Sequence, residues 1–287
     1  MPQTVQTTDY TDCLSPFTGW GPDVWGDQYP TCGGLSQSPL DLNLSTAQPS
    51  TAPGEMKTIG YRTLNNASVN QNGHTFTVKL NLGSNDDTPM ILDGSLPSGE
   101  KFAFAQLHLH WGSDSFRGSE HRLAGQEFPA EIHLVHWNTK YPDFPTAAQQ
   151  SDGLAVAGFF LQVSDKTNDN YVPVINGLIK LAGQPDNFDV DIGSLSLRSL
   201  LPTPGAADHL HYKGSLTTPP CTENVFWNVF LDPINISEEQ LNTIRGLRGE
   251  NNQLLSDNYR PPMPSNGRPI YLYRRDLGLQ FAELLRN

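Results

Sequence analysis

Long apolar runs are missing from this chain. No stretch approaches the roughly 18 to 20 consecutive apolar residues that a membrane-spanning helix requires, so no transmembrane span is expected. Basic charge is short as well: 18 Lys and Arg stand against 30 Asp and Glu, a formal net charge of −12. Nucleic-acid binding needs a basic footprint, so no nucleic-acid partner is expected. Lysine is the scarcest charge, with 7 residues against 11 Arg, while Asp outnumbers Glu 20 to 10. An ordinary acidic surface accounts for this balance. Adaptation to high salt is the sharper alternative, because salt screens repulsion between carboxylates. Repeats of about 20 to 50 residues and low-complexity linkers are also lacking. The 287 residues therefore read as one domain, large enough to bury a core without disulfide support.

Cysteine is sparse too: Cys13, Cys32 and Cys221. An odd count allows at most one intrachain bridge, and reduced, buried thiols are the alternative. Cys13 lies in a polar stretch and is either free or linked between chains. The opening Met1-Pro2-Gln3-Thr4-Val5 lacks the basic and apolar regions of a signal peptide. The chain is thus expected either to stay in the cytosol or to be the mature form of a secreted protein. Asn43, Asn66 and Asn235 each begin an Asn-x-Ser acceptor for glycosylation, which leans toward secretion.

Among what is present, β-type stretches dominate. Residues 1–16 read as a polar arm without periodicity, and residues 17–40 as irregular packing rich in Gly, Pro and Trp. Strand patterns then follow over 56–64, 74–82, 101–111, 131–137, 154–163, 224–231 and 269–274. Turn signals such as Asn72-Gly73 separate them. Helical stretches are few: a capping box at Ser237 to Gln240 opens one that runs to about Arg248, and 171–181 and 276–286 read as helices.

The chemistry concentrates in Gln106-Leu107-His108-Leu109-His110-Trp111 and in Glu131-Ile132-His133. Side chains alternate along a strand, so Gln106, His108 and His110 share one face, and Glu131, His133 and Val135 share a face of their own strand. Three imidazoles converging on a point offer three nitrogen donors and leave a fourth position open, the arrangement of a catalytic zinc site. Gln106 and Glu131, each two residues before a histidine, are placed to hold the rings by hydrogen bonds. His209 and His211 form a second His-x-His for which no third ligand stands nearby in sequence. That pair reads as structural.

Longer blocks surround these residues. Gln106 to Gly112, Ser119-Glu120-His121, Glu131 to Asn138 and Gly214 to Pro220 occur in the order of the signature blocks of the α-class carbonic anhydrases, which the chain resembles over nearly its whole length. The resemblance implies an α+β, mainly β fold: one domain, residues 17–287, with a large central twisted, mostly antiparallel sheet and short peripheral helices. It implies reversible hydration of carbon dioxide to bicarbonate and a proton by a zinc-bound hydroxide, with Zn2+ held by His108, His110 and His133. Glu120 and Thr217 would aim the hydroxide. Val135, Val156, Leu216, Val225 and Trp227 would form an apolar wall for the uncharged substrate, and Thr218 would contact bicarbonate.

The same resemblance makes His74 the proton shuttle, since only a side chain titrating near neutrality relays protons quickly. Asn72 and Thr77 would order the intervening waters. It pairs Cys32 with Cys221, as in secreted members, and implies a monomer or homodimer that binds sulfonamide and anion inhibitors. His121 and His136 read as buried hydrogen-bonding residues. The family's tyrosine near the start finds no clean match in Phe17 to Pro22. Two rivals remain at this level: a cupin-type iron oxygenase, which wants a carboxylate four or five residues after its second histidine, and a catalytically silent binding module, which typically loses a zinc histidine.

Overall fold

The computed structural model describes residues 21–52, 54–83, 87–184, 188–202, 208–249 and 252–275. The expected arm, Cys13, the tyrosine-less stretch before Gly21 and the helix over 276–286 fall outside these residues. In chain order the strands are β1 (Asp41–Leu42), β2 (Gln48–Pro49), β3 (Lys57–Ile59), β4 (Asn65–Gln71), β5 (Phe76–Leu80), β6 (Met90–Leu92) and β7 (Lys101–Trp111). They continue with β8 (Arg122–Leu123), β9 (Ala130–Asn138), β10 (Leu154–Ser164), β11 (Val190–Leu195), β12 (His209–Gly214), β13 (Val225–Ser237) and β14 (Tyr271–Tyr273). Twelve of them form one sheet, in the order β11-β4-β5-β7-β9-β10-β13-β12-β14-β2, with β6 joined to β7 and β3 to β6.

The sheet is mixed. Its pairs are antiparallel except β10 with β13 and β14 with β2. This agrees with the mainly antiparallel, β-dominated single domain expected from the sequence. The strand expected over 56–64 is a correction: only β3 forms there, and the neighbouring ordered strand is β4. Strand β4 reads Asn-Asn-Ala-Ser-Val-Asn-Gln, too polar to show a strand pattern, yet its last five residues are buried. Among them Asn70 finds partners on both sides: it donates to Asp189 at 2.9 Å and accepts from Thr77. A buried polar group with a partner costs little, so composition ceases to report burial here.

Each face of the sheet carries its own packing. On one side Leu107, Leu109, Trp111, Ile132, Leu134, Ala157 and Phe159 belong to the larger core, together with the helices Val172–Leu181 and Glu238–Arg245. The second helix opens on the expected capping box, with the Gln240 amide N–H donating to the Ser237 hydroxyl at 3.3 Å and the Gln240 side-chain oxygen accepting from the Ser237 N–H at 3.2 Å. It ends at Arg245, before Gly246, rather than near Arg248. Each fully buried leucine or valine contributes roughly 1.5–3 kcal/mol, so this packing fixes which face each central strand turns inward. The opposite face carries a smaller cluster of Leu40, Leu42, Val135, Val156, Phe160, Val225 and Trp227. The histidines stand beside it.

Candidate active site

Register decides the site. His108 on β7 pairs with His133 on β9, and His110 pairs with Glu131. Directly paired residues point to the same face, so all four side chains stand together. The ring centroids of His108, His110 and His133 lie 4.8 to 5.2 Å apart. One nitrogen from each ring falls within 4.8 Å of the other two.

Which nitrogen is available follows from what holds the other one. His108 Nδ1 donates to Gln106 Oε1 at 3.1 Å, His110 Nδ1 to the Asn258 carbonyl at 2.7 Å, and His133 Nε2 to Glu131 Oε1 at 2.8 Å. A carbonyl or carboxylate only accepts, so each of those nitrogens carries the proton. Lone pairs are left on His108 Nε2, His110 Nε2 and His133 Nδ1. His110 Nε2 is buried without a hydrogen-bond partner. An orphaned buried nitrogen costs free energy unless something electrophilic occupies its lone pair, so the donor set fits a metal ion.

Electrostatics favours the neutral rings that a metal needs. Burial lowers His108 well below its ordinary value, and its neighbours His110 and His133 add to the effect. Burial also lowers His110, against the opposing pull of Glu120. Burial pushes the Glu131 carboxyl up, but the His121 and His133 rings outweigh it and hold Glu131 well below the usual carboxylate range.

Glu131 carries more than one bond. His121 Nδ1 donates to the same Oε1 at 2.7 Å, and His121 Nε2 faces the Tyr212 hydroxyl at 2.7 Å. Tyr212 in turn donates to Ser38 Oγ at 2.9 Å. His121, Glu131 and His133 also lie within metal-ligand reach of one another. Both rings contact Glu131 directly at hydrogen-bond length, which leaves no space for an ion between them. Gly158 makes room for the pair: it lies opposite His133, and a Cβ there would come 3.2 Å from Glu131 Oε1.

Residues 20–274 match the family model of the eukaryotic-type carbonic anhydrases. The chain belongs to that family. It is a lyase that interconverts carbon dioxide and bicarbonate. The other expected residues of this carbonic anhydrase can now be placed.

Val135, Val156, Val225 and Trp227 are buried in one cluster with Leu216 packed against it. Register explains the grouping, since Val156 lies between Val135 and Trp227 on the paired strands. Thr217 is buried and Thr218 half-buried in the loop after β12. Cys32 and Cys221 are bonded to each other, which ties that loop to the segment around residue 32.

Glu120 is 1% exposed, and its Oε1 accepts the Arg260 backbone N–H at 2.8 Å. Its Oε2 has no hydrogen-bond partner, so the Thr217 donation expected from the sequence is not made in this structure.

His74 sits in the turn between β4 and β5, where Gly73 takes φ 83°, a left-handed conformation that glycine adopts without strain. The residue is buried at 6% exposure, and its Nε2 makes no hydrogen bond. Asn72 and Thr77 also bond within the protein. Asn72 Oδ1 accepts the backbone N–H groups of His74 and Thr75 at 3.1 and 3.0 Å, and the Thr77 hydroxyl donates to Asn70. These partners lie in the turn and the adjoining strands. His136 is buried with its Nε2 against the Tyr61 hydroxyl, as expected of a structural residue.

Two residues with large roles, Asn258 and Arg260, lie within the stretch that resembles the family, yet the sequence assigned neither a role. Arg260 Nη1 donates to Gln37 Oε1 and the Ser38 carbonyl at 2.8 and 2.9 Å, and Nη2 to the Cys32 carbonyl at 3.0 Å. Asn258 and Arg260 also serve histidine and glutamate through backbone atoms, which every residue type possesses.

Proposed function

We propose that this carbonic anhydrase is a zinc enzyme, with the ion held by His108 Nε2, His110 Nε2 and His133 Nδ1. One observation carries the reading: three lone pairs converge because each ring's other nitrogen is already committed to a protein acceptor. Zinc there supplies a Lewis acid that makes water a nucleophile near neutral pH, an effect for which carbonic anhydrase is the standing example.

The chain's own residues do the rest. Gln106, Asn258 and Glu131 fix the tautomer and tilt of the three rings, which an acyclic cluster of free histidines would lack. Glu120, anchored through Oε1, keeps Oε2 available to accept the Thr217 proton, so that the Thr217 oxygen accepts from the attacking water and aims it. The Val135, Val156, Leu216, Val225 and Trp227 wall gives carbon dioxide a surface with no charge to compete for. Thr218 contacts bicarbonate. His74 relays the released proton outward, with Asn72 and Thr77 shaping its surroundings. Sulfonamides and small anions would inhibit by binding the zinc that these histidines would hold.

The Cys32–Cys221 bond fits a protein that matures in an oxidising compartment, and we read the chain as secreted, with residues 1–16 as an arm ahead of a catalytic domain over 17–287. Activity retained from dilute buffer to molar sodium chloride would identify the acidic excess as salt adaptation.

Zinc titration of chelator-treated protein, followed by a pH-drop hydration assay, tests the centre. One zinc per chain with sulfonamide-sensitive hydration is expected; stoichiometric zinc without hydration overturns the reading. For the relay, His74→Ala is expected to slow kcat in weak buffer by about 100-fold, the low end of what a positioned proton-transfer group contributes. Added imidazole should restore it. Unchanged weak-buffer turnover excludes His74.

A further inference from the structure

Four hydrogen bonds meet at Asn258, which is 2% exposed. Its backbone carbonyl accepts His110 Nδ1 at 2.7 Å, and its side-chain Oδ1 accepts the Trp111 N–H at 2.7 Å. Its Nδ2 donates to the His74 carbonyl at 2.9 Å and reaches the Leu109 carbonyl at 3.4 Å. One residue therefore touches the backbone of β7 on either side of His110, the ring of His110 and the turn that carries His74.

That turn has further attachments. Asn72 Oδ1 takes the His74 N–H, so the backbone of His74 is pinned at its nitrogen by Asn72 and at its oxygen by Asn258. The Thr75 hydroxyl donates to the Leu109 carbonyl at 2.6 Å, fastening the next residue to β7. In register, Thr77 pairs with His108, which sets the turn beside His110 and Trp111. With the main chain fixed, His74 keeps only its side-chain torsions, and its Nε2 remains without a partner. The His110 ring is held by the Asn258 backbone carbonyl and the His74 turn by its Nδ2, so the two contacts come from different groups of one residue.

We propose that the Asn258 side-chain amide is a positioning residue for proton transfer: it sets the separation between the relay histidine and the metal-holding histidines by tying the His74 turn to β7. The proposal rests on the reading of His74 as the relay. Displacing a group by about 1 Å can cost on the order of 100-fold in rate, so a loosened turn should register in the proton-transfer step before it registers in hydration.

Asn258→Asp tests this, since it retains the backbone carbonyl for His110 and an acceptor for Trp111 but replaces the donor facing the His74 carbonyl with an oxygen. Zinc-loaded variant and parent are compared in weak buffer. The expected result is a fall in kcat about tenfold larger than any fall in kcat/KM, with imidazole restoring kcat. Amide hydrogen exchange at His74 and Thr75 should quicken at the same time. Faster exchange with no change in weak-buffer kcat overturns the proposal, because the bond is then only structural. A parallel fall in kcat and kcat/KM without imidazole rescue overturns it also. Should the Asp variant fail to fold, Asn258→Ala removes the donor without adding charge and is read by the same split. His74→Ala, run alongside, separates the two claims: if that variant turns over normally in weak buffer, the relay reading itself is wrong.

Discussion

Two His-x-His pairs lie on strands of the same sheet, His108 with His110 on β7 and His209 with His211 on β12. Their spacing is identical and their ring centroids are similarly close, 5.1 Å in the first pair and 5.9 Å in the second. What differs is the strand across from each. His108 and His110 face His133 and Glu131, whereas His209 and His211 face Phe230 and Asn228 on one side and Tyr273 and Tyr271 on the other. The second pair accordingly stacks on its aromatic neighbours, at 5.1 Å for His209 with Tyr273 and 5.2 Å for His211 with Tyr271. His211 Nε2 is also in hydrogen-bond contact with Ser50 Oγ at 2.7 Å. Spacing selects a face, and the cross-strand partner decides what that face does.

Removing one histidine from each pair's surroundings is the strongest way to break this contrast. His133→Ala leaves two donors, and zinc affinity is expected to fall by more than about 100-fold, since losing a mere supporting partner of a ligand already costs 10- to 100-fold. Hydration should vanish with the metal. His211→Ala should keep stoichiometric zinc and normal hydration. Metal analysis after dialysis against a competing chelator measures both, and zinc loss in the His211 variant would erase the distinction.

The glycine across from His133 sharpens it. Gly158→Ala would set a methyl 3.2 Å from Glu131 Oε1, 3.6 Å from His133 Cδ2 and 3.6 Å from Trp227 Cζ3. Overpacking of this kind costs about 1–3 kcal/mol, and the flexible end here is the carboxylate that holds the His133 ring. The expected outcome is a lower unfolding temperature together with zinc affinity reduced about tenfold. A variant that melts early yet binds zinc like the parent would show that Glu131 can shift without disturbing the ligand.

These contrasts also mark what the chain shows before it folds. Gln106, His108, His110, Glu131 and His133 were legible because a strand converts period-two spacing into a shared face, and the long apolar strands β7, β9, β10 and β13 declare themselves. The pairing of β7 with β9 was not legible from spacing, since no local signal states which strands become neighbours; the family resemblance supplied only the grouping of His133 with His108 and His110. Strand β4 escaped because Ser68, Asn70 and Gln71 are buried polar residues, of which Ser68 and Asn70 bond to other side chains. Strand β12 escaped because its His-Leu-His-Tyr-Lys-Gly pattern is short and follows residues rich in proline. Asn258 and Arg260 act partly through backbone atoms, which leave no trace in residue identity.

The smallest expected effect tests with acid how firmly the packing around β12 keeps the second pair's imidazole neutral. Burial, with His209 nearby, lowers His211 from 6.5 to about 4, and burial lowers His136 to about 3. Above pH 6.5 both the folded and unfolded chains leave these rings neutral, so neither contributes to pH dependence. Below it the unfolded chain binds protons that the fold refuses, and stability drops by up to about 1.4 kcal/mol per pH unit for each ring. For His211 the loss accumulates between pH 6.5 and about 4 and then levels off; for His136 it continues to about 3. His211→Gln removes one titrating ring while every carboxylate stays. Urea unfolding of the metal-free variant and parent at pH 7.5 and pH 5 should therefore show a smaller acid loss in the variant, by about 1–2 kcal/mol. Equal losses in the two proteins would mean that the His211 ring accepts its proton without cost, and that the aromatic packing around β12 does not resist the charge.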